Sequence, residues 1–322
     1  KQSWRPSALV NGSPGWDDTG YLPDPGSVVI NEVLAHSHAE AADWIELHNT
    51  TDAPIEIGGW FLSDSDANET SRMKYRIAEG TVIPAGGYIV FYQNLHFGNP
   101  SDPGAIVPFA LSENGEEVVL TSGQDGVLTG YRDYEDFGPS ATGIAFGRHR
   151  KSDGSFNFVA MSVNTPGAAN AYPLVGPIVI NEIMYNPASG NQNAEYIELL
   201  NITSSPVTLY DVLTSSPWKF TDAIEFTFPK SPPLTVPAGG FVLVVTNRAA
   251  FEAEFGAAPA GVPVFEYASG NLSNSGEKLE LSMPGDVDKY GVRQYIRIDR
   301  VNYSDGSHPA GEDPWPTEAD GG

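Results

Sequence analysis

Glu32 is the residue whose setting first suggests chemistry in this sequence. It lies in the run VVINEVLAHS, residues 28–37, which is apolar enough to form a buried strand. Strict alternation along such a strand places Glu32 on the same face as Ile30 and Leu34. Because an unpaired carboxylate is costly among aliphatic side chains, Glu32 is a candidate for a catalytic acid, a metal ligand or a structural residue with buried partners.

A second glutamate is predicted to face the first across a hairpin. The spacing of the two strands places Glu32 opposite Glu46, and the same relation recurs later, where Glu182 is placed opposite Glu198. Like charges directly opposed destabilise a sheet, so a calcium ion, an arginine or a shared proton would have to compensate each pair. If either pair binds a cation or ligand, these four glutamates are the binding residues. The structural alternative, which we favour, is that the register is off by two or that backbone amides donate to the carboxylates.

Paired carboxylates are also the catalytic groups of glycosidases. Such a pair needs a cleft around it, and the strand faces of a sandwich are filled by the opposite sheet. The sequence contains no Cys and no Gly-x-Ser-x-Gly motif that would supply another nucleophile. We therefore predict no catalytic residues and no enzymatic activity for this chain.

The stretch SDSDANET, residues 63–70, supports a separate hypothesis for calcium. Asp64, Asp66 and Asn68 have the alternating spacing of ligands in a calcium loop. The Gly and the Glu that complete an EF-hand are missing, and no helical pattern flanks the stretch. A turn rich in Asp and Asn explains the same residues, because their side chains bond to nearby backbone groups. We expect no cofactor and keep a weak, exposed calcium site as the alternative.

The sequence contains a long internal repeat, which sets the domain organisation. Four stretches of the first half return in the same order in the second half. They are VVINEVLAHS with IVINEIMYNP, DWIELHNTTDAPIEI with EYIELLNITSSPVTL, TVIPAGGYIVFYQN with LTVPAGGFVLVVTN, and LSENGEEVVLTS with LSNSGEKLELSM. The offset between the copies only grows along the chain, as loop insertions after a tandem duplication would produce.

We assign residues 23–172 to the first copy and residues 173–322 to the second, with a Pro/Gly/Ala-rich stretch between them. Residues 1–22 resemble the end of the first copy, so we interpret them as the tail segment of a preceding repeat plus a linker. The second copy has no recognisable closing strand. We therefore expect a fragment of a longer array, in which residues 2–16 complete the second copy within the chain or by strand exchange between neighbouring molecules.

Both copies have the pattern of a β-sandwich. Short β-branched and aromatic runs alternate with Pro-Ala-Gly-Gly, Asn-Gly and Ser-Gly turns. Because the connections are short, the strands are predicted to be antiparallel. About seven strands per copy predict an all-β chain of two tandem antiparallel β-sandwich domains. The single predicted helical turn is NRAAFEAEFG, residues 247–256, where Gly256 is placed to end it.

The charge balance argues against several partners. The chain has 17 basic and 41 acidic residues and a net charge of −24. It therefore lacks the basic stripe that nucleic-acid binding needs, and an anionic membrane would repel it. No apolar run is long enough to span a bilayer, so we expect no membrane insertion. The absence of Cys is compatible with export but does not prove it.

Taken together, these motifs resemble the lamin tail domain in its bacterial, extracellular form. The first copy carries INEV, DWIELHN, GGWFLSD, IPAGGYIVF, LSENGEEVVL and TPGAAN, and the second carries INEI, EYIELLN, WKFTD, VPAGGFVLV and LSNSGEKLEL. One departure is an insertion before Trp218 in the second copy. The resemblance implies an immunoglobulin-like β-sandwich for each copy.

The same resemblance implies a non-catalytic structural or adhesive module pair from a large secreted or cell-surface bacterial protein. Its partners would be other domains of that protein, which it spaces or tethers, or surface partners. Two alternatives stay open: a calcium-dependent module that binds polysaccharide or protein, and accessory domains of an enzyme whose catalytic domain lies outside this sequence. No heptad rod is present, so a role at a nuclear lamina is not implied.

Overall fold

A computed structural model describes residues 7–152 and 154–305 of the chain. The chain divides into two units between Leu174 and Val175, two residues beyond the boundary expected from the repeat. The regular structure of each unit is nearly all β-strand. The prediction of an all-β chain with two tandem sandwiches is confirmed.

The first unit contains eleven strands in its described residues. They are β1 (Val28–Leu34), β2 (Trp44–Asn49), β3 (Ile55–Glu56), β4 (Phe61–Ser63), β5 (Tyr75–Arg76), β6 (Val82–Ile83), β7 (Tyr88–Tyr92), β8 (Glu116–Gln124), β9 (Val127–Phe137), β10 (Phe146–Arg150) and β11 (Phe156–Ala160). The five-stranded sheet has the order β11-β10-β1-β2-β7 and the four-stranded sheet the order β5-β4-β8-β9, and β3 and β6 form a separate two-stranded pair. Apolar side chains from both sheets, including Ile30, Ile45, Leu62 and Leu120, form one buried cluster between them.

The second unit repeats this plan with differences at its edges. Its elements are β12 (Ile178–Met184), β13 (Tyr196–Asn201), β14 (Val207–Thr208), β15 (Tyr210–Asp211), β16 (Ser216–Pro217), β17 (Lys219–Asp222), β18 (Ile224–Glu225), β19 (Thr235–Val236), β20 (Phe241–Val245), α1 (Arg248–Phe255), β21 (Val264–Glu266), β22 (Ser269–Gly270), β23 (Gly276–Val287) and β24 (Arg293–Ser304), with a short 3-10 helix at Gln192–Ala194. The four-stranded sheet has the order β12-β13-β20-β21 and the three-stranded sheet the order β17-β23-β24. Three two-stranded pairs, β14-β19, β15-β16 and β18-β22, are also formed by the described residues.

The predicted helix forms over the expected residues because both of its ends are capped. The side chain of Asn247 accepts from the backbone N–H of Ala250 at 2.9 Å, as an N-cap residue does. At the other end the N–H of Gly256 donates to the carbonyl of Glu252. Phe251 packs edge-to-face on Tyr196 at a ring distance of 5.3 Å. The helix is therefore held on the sheet by an aromatic contact.

Residues 7–22 pack along the first unit. Leu9 bridges to Thr129, and the N–H of Gly130 donates to the carbonyl of Ala8 at 3.0 Å. Only Gly fits at position 130, because a Cβ there would lie 1.5 Å from the carbonyl oxygen of Ser7. This placement gives the described part of segment 2–16 a position within the first unit. Residues 2–6 lie outside the described residues, and strand exchange through this segment stays a prediction.

A β-bulge at equivalent positions sets which side chains of the first strand face the core. In the β1–β2 ladder the register shifts between Ile30 and Glu32, and in the β12–β13 ladder it shifts between Ile180 and Glu182. The extra residue changes the facing of everything after it. In the first unit Ile30 belongs to the central core, and so does Val33, whereas Leu34 packs in a separate cluster.

A buried asparagine fixes the Pro-Ala-Gly-Gly turn in each unit. In the first unit Nδ2 of Asn49 donates to the carbonyls of Ala53, Ile83 and Pro84 at 2.7, 3.1 and 3.0 Å. In the second, Nδ2 of Asn201 donates to the carbonyls of Ser205, Val236 and Pro237 at 2.9, 3.0 and 2.9 Å. Both asparagines are fully buried. Each of them therefore satisfies backbone carbonyls that would otherwise be left without a donor.

We predict that Asn49→Ala and Asn201→Ala each destabilise their own unit by roughly 2–3 kcal/mol, because buried carbonyls lose their donor. Chemical denaturation measures the free energy, and hydrogen exchange assigns each transition to a unit. Asn302→Ala, on the exposed side of β24, is the matched control and is expected to change the stability by no more than about 0.5 kcal/mol. Equal effects of Asn49→Ala and Asn302→Ala would contradict the assigned role.

Candidate functional site

The predicted glutamate pairs are formed in both units. Glu32 lies opposite Glu46 in the β1–β2 ladder, and Glu182 lies opposite Glu198 in the β12–β13 ladder. We call these the first and the second glutamate pair. The expectation from strict alternation, that Glu32 shares a face with Ile30, is wrong. The bulge turns Glu32 to the outer face of its sheet, away from the central core.

The outer face around the first glutamate pair is covered by residues 164–170, sequence NTPGAAN, which we call the closing segment. Glu32 and Glu46 are both fully buried. The backbone N–H of Thr165 donates to both carboxylate oxygens of Glu32, at 3.0 and 3.2 Å, and the Thr165 hydroxyl donates to Oε2 at 2.6 Å. Both carboxylate oxygens of Glu32 therefore obtain their hydrogen-bond donors from one residue that lies far away in the sequence.

Glu46 accepts hydrogen bonds from the closing segment and from β1. The backbone N–H of Gly167 donates to its Oε2, and Nδ2 of Asn31, the residue at the bulge, donates to its Oε1 at 2.7 Å. Gly167 has a φ of +85°, a backbone conformation that Gly adopts without the steric cost of a side chain. The turn that aims this N–H at the carboxylate therefore favours glycine.

The remaining polar side chains of the closing segment hold it in place. Asn170 donates from Nδ2 to the backbone carbonyls of Asn31 and Arg148, each at 3.0 Å. Asn164 accepts from the N–H of Ala145 at 3.0 Å and donates to the carbonyl of Gly143 at 2.9 Å. The segment therefore bonds to both β1 and β10.

Burial dominates the acid–base behaviour of the first glutamate pair. It raises the pKa of Glu46 to about 7, against the opposing effects of the Gly167 amide and the Asn31 side chain, and the nearby charge of Glu32 raises it further. Burial also raises the pKa of Glu32, while the hydroxyl and amide of Thr165 act to lower it. Desolvation favours the neutral form of a carboxyl group, and donors favour its charged form.

The second glutamate pair has the same register but different surroundings. Asn181 and Glu182 are exposed, and Glu198 is half-buried. Nδ2 of Asn181 donates to Oε1 of Glu198 at 2.7 Å, as Asn31 does to Glu46. The Tyr196 hydroxyl donates to Oε1 of Glu182 at 2.6 Å. Within the described part of the chain, no group donates to Oε2 of either glutamate.

Comparison with known protein families matches two regions of this chain, residues 23–134 and residues 173–303, to the family described as Lamin Tail Domain. The chain belongs to the lamin tail domain family. The predicted membership of the lamin tail domain family and the two tandem copies are thereby confirmed. Lamin tail domains are non-catalytic, immunoglobulin-like modules, which agrees with the two-sheet units described above. The comparison with curated proteins gives no match.

In these lamin tail units the side chains proposed as calcium ligands have protein partners. Asp64 pairs with Lys74, and Asp66 pairs with Arg72 and with Arg132. The side chain of Asn68 accepts from the N–H of Ser71 at 3.0 Å. Among the described residues, no group of three or more His, Cys, Asp or Glu is arranged to hold a metal ion. A calcium site at residues 64–68 stays a prediction.

The donors of the first glutamate pair are the residues that sequence reasoning missed. Asn31 and Asn181 precede a glutamate in both copies, as INE, and this repeat was the available signal for their role. The closing segment combines a hydroxyl, a glycine and two asparagines, which is a composition rich in donors.

A contact to an aspartate is also repeated in the two units. Asp133 accepts from the N–H of Ile30 and Asp299 from the N–H of Ile180, each at 2.7 Å.

The helices of the described residues include none that is both long and apolar enough to cross a bilayer.

We predict that Thr165→Val destabilises the first lamin tail unit by roughly 1.5–3 kcal/mol, because a buried carboxylate loses a donor. Chemical denaturation of the full chain measures the effect. Thr165→Ser keeps the hydroxyl and should retain most of the stability, which separates the hydrogen bond from the shape of the side chain. If Thr165→Val lowers the free energy of unfolding no more than Thr165→Ser does, the hydroxyl does not stabilise the contact.

The first unit should lose stability as the pH rises. The pKa values of Glu46, Glu116 and Glu135 are each raised from 4.5 to about 7, mainly by burial. A carboxyl group whose pKa is raised in the folded state holds its proton more tightly there than in the unfolded chain. Its contribution to the free energy of unfolding is therefore complete below about pH 4.5 and is lost as the pH passes through about 7. We therefore expect the unfolding free energy of this unit to fall across that interval.

Glu46→Gln should make this decline shallower, because one of the titrating groups is removed. Chemical denaturation at a series of pH values from 4.5 to 8 measures the slope. Glu56→Gln, at an exposed position, is the control and should leave the slope unchanged. A wild-type unit that gains stability over this interval would contradict the expected sign.

Proposed function

We propose that this chain is a non-catalytic pair of lamin tail modules that spaces or tethers other domains of a large secreted or cell-surface bacterial protein. The observation that carries the proposal is the contact between the closing segment and the first glutamate pair. In the first unit the two opposed carboxylates, which could have served as acid and base, are buried and bonded to backbone donors. They hold the fold together and are not presented to a substrate.

The same contact supports a tethering role for mechanical reasons. The first glutamate pair lies on the first two strands of the unit, β1 and β2, whereas the closing segment follows its last strand, β11. Tension transmitted between β1 or β2 and the closing segment would therefore load the bonds between Glu32 and Thr165 and between Glu46 and Gly167. Several hydrogen bonds loaded together resist separation better than bonds broken one at a time.

The composition supports an extracellular location for these modules. A net charge of −24 on 322 residues gives a well-solvated surface that resists self-association. A chain without Cys does not depend on disulfide formation after export. These features suit a module that stays soluble outside the cell, where it would contact other domains of the same protein or surface partners.

The non-catalytic part of the proposal is tested by hydrolysis assays on polysaccharide, phosphoester and peptide libraries. We expect no turnover from the wild-type chain above the level of a heat-denatured sample. Turnover that is present in the wild type and lost in Glu32→Gln, with folding intact by circular dichroism, would overturn the proposal.

The tethering part is tested by pulling single molecules from their two ends. We expect the first unit to unfold in one step, with an extension of roughly 3.5 Å per released residue. Thr165→Val should lower the unfolding force, and Thr165→Ser should restore most of it. Unfolding of both the wild type and Thr165→Val at forces too low to detect would contradict a mechanical role for the contact.

A further inference from the structure

The second glutamate pair repeats the geometry that holds the closing segment in the first unit. The opposed glutamates, the bulged asparagine and the bond from that asparagine to the second glutamate are all present. What differs is the covering. Asn31 and Glu32 are buried, whereas Asn181 and Glu182 are exposed.

The neighbouring strand edge differs in the same way. In the first unit β1 has β2 on one side and β10 on the other, where Glu32 pairs with Gly147 and Val33 with Phe146. In the second unit β12 is the edge strand of its sheet among the described residues. The edge of β12 and the second glutamate pair therefore lie together, and in the first unit the same two features are occupied by one continuous stretch, residues 146–170.

We propose that the second unit binds a peptide segment with the chemistry of residues 143–170 of this chain. The first part of that segment pairs as a strand with the edge of β12. Its Asn-Thr-Pro-Gly turn then places one hydroxyl and two backbone N–H groups on Glu182 and Glu198. The inference does not depend on the tethering role, because it concerns only what the second unit can bind.

Three observations favour this occupant over others. The first unit holds such a segment with the same pair of glutamates. The segment is self-contained, because Asn164 bonds to Gly143 and Ala145 within it. It carries three basic residues and one acidic residue, which complements an acidic chain. Within residues 1–322, Asn-Thr-Pro-Gly occurs once, at residues 164–167, where the first unit holds it.

The test is a titration of the isotope-labelled full chain with a synthetic peptide of residues 143–170, in the presence of EDTA. We expect saturable shifts of the backbone amide signals of Asn181, Glu182 and Ile183, and an affinity that calorimetry can measure. The double variant Glu182→Gln/Glu198→Gln should weaken the affinity by about tenfold or more, because two charged acceptors are lost.

Two controls separate this mode of binding from charge attraction. Glu252→Gln/Glu254→Gln removes two exposed charges from the helix of the same unit and should leave the affinity within about twofold, as expected for a distant surface site. A peptide with Thr165→Val should bind the wild-type chain about tenfold more weakly, since its hydroxyl donor is gone. Equal loss of affinity in the site and helix double variants would identify the binding as non-specific attraction and overturn the proposal.

A flexible free peptide loses conformational entropy on binding, which weakens its affinity. A tethered peptide is therefore tested as well. The peptide is fused to the C-terminal end of the chain through a long Gly/Ser linker, which raises its effective concentration to about the millimolar range. We expect slower hydrogen exchange at the amides of β12 and a higher melting temperature of the second unit. If neither the free nor the tethered peptide protects β12, the proposal is wrong, and the tethering function proposed for the first unit is unaffected.

Discussion

The first unit depends on how two opposed glutamates obtain hydrogen-bond donors once water has been excluded. Glu32 and Glu46 face each other on one sheet and are fully buried, an arrangement that would be strongly destabilising without partners. The donors come from Thr165, Gly167 and the bulged Asn31. The end of the unit is thereby bonded to its beginning, and the outer face of the sheet becomes part of the interior.

The two units show that the same residues have different properties in different surroundings. The bulge, the register and the asparagine–glutamate bond are shared, since they arise from the local sequence INE and from the pairing of two strands. Burial is not shared, because it depends on a segment whose bonds to the two glutamates span 133 and 121 residues of sequence. A pair of glutamates in this family is therefore best understood together with the segment that covers it.

Much of the fold was predictable from the sequence for physical reasons. The internal repeat and the two-residue period of the strands placed Glu32 opposite Glu46 and Glu182 opposite Glu198, and Gly256 marked the end of the helix. The bulge could not be foreseen, because no residue type in the strand marks it. One extra residue at the bulge nevertheless reverses the facing of every side chain after it. The donors to Glu32 were equally hidden, since nothing local in the sequence connects it with Thr165.

The central claim is that the first glutamate pair holds the closing segment in place. Native-state hydrogen exchange at the amides of Thr165 and Gly167 tests it most directly. In the wild type these amides should exchange about as slowly as those of the core strand β8. In Glu32→Gln/Glu46→Gln they should exchange much faster, while the amides of β8 remain protected. Fast exchange in the wild type, or equal protection in the double variant, would contradict the claim.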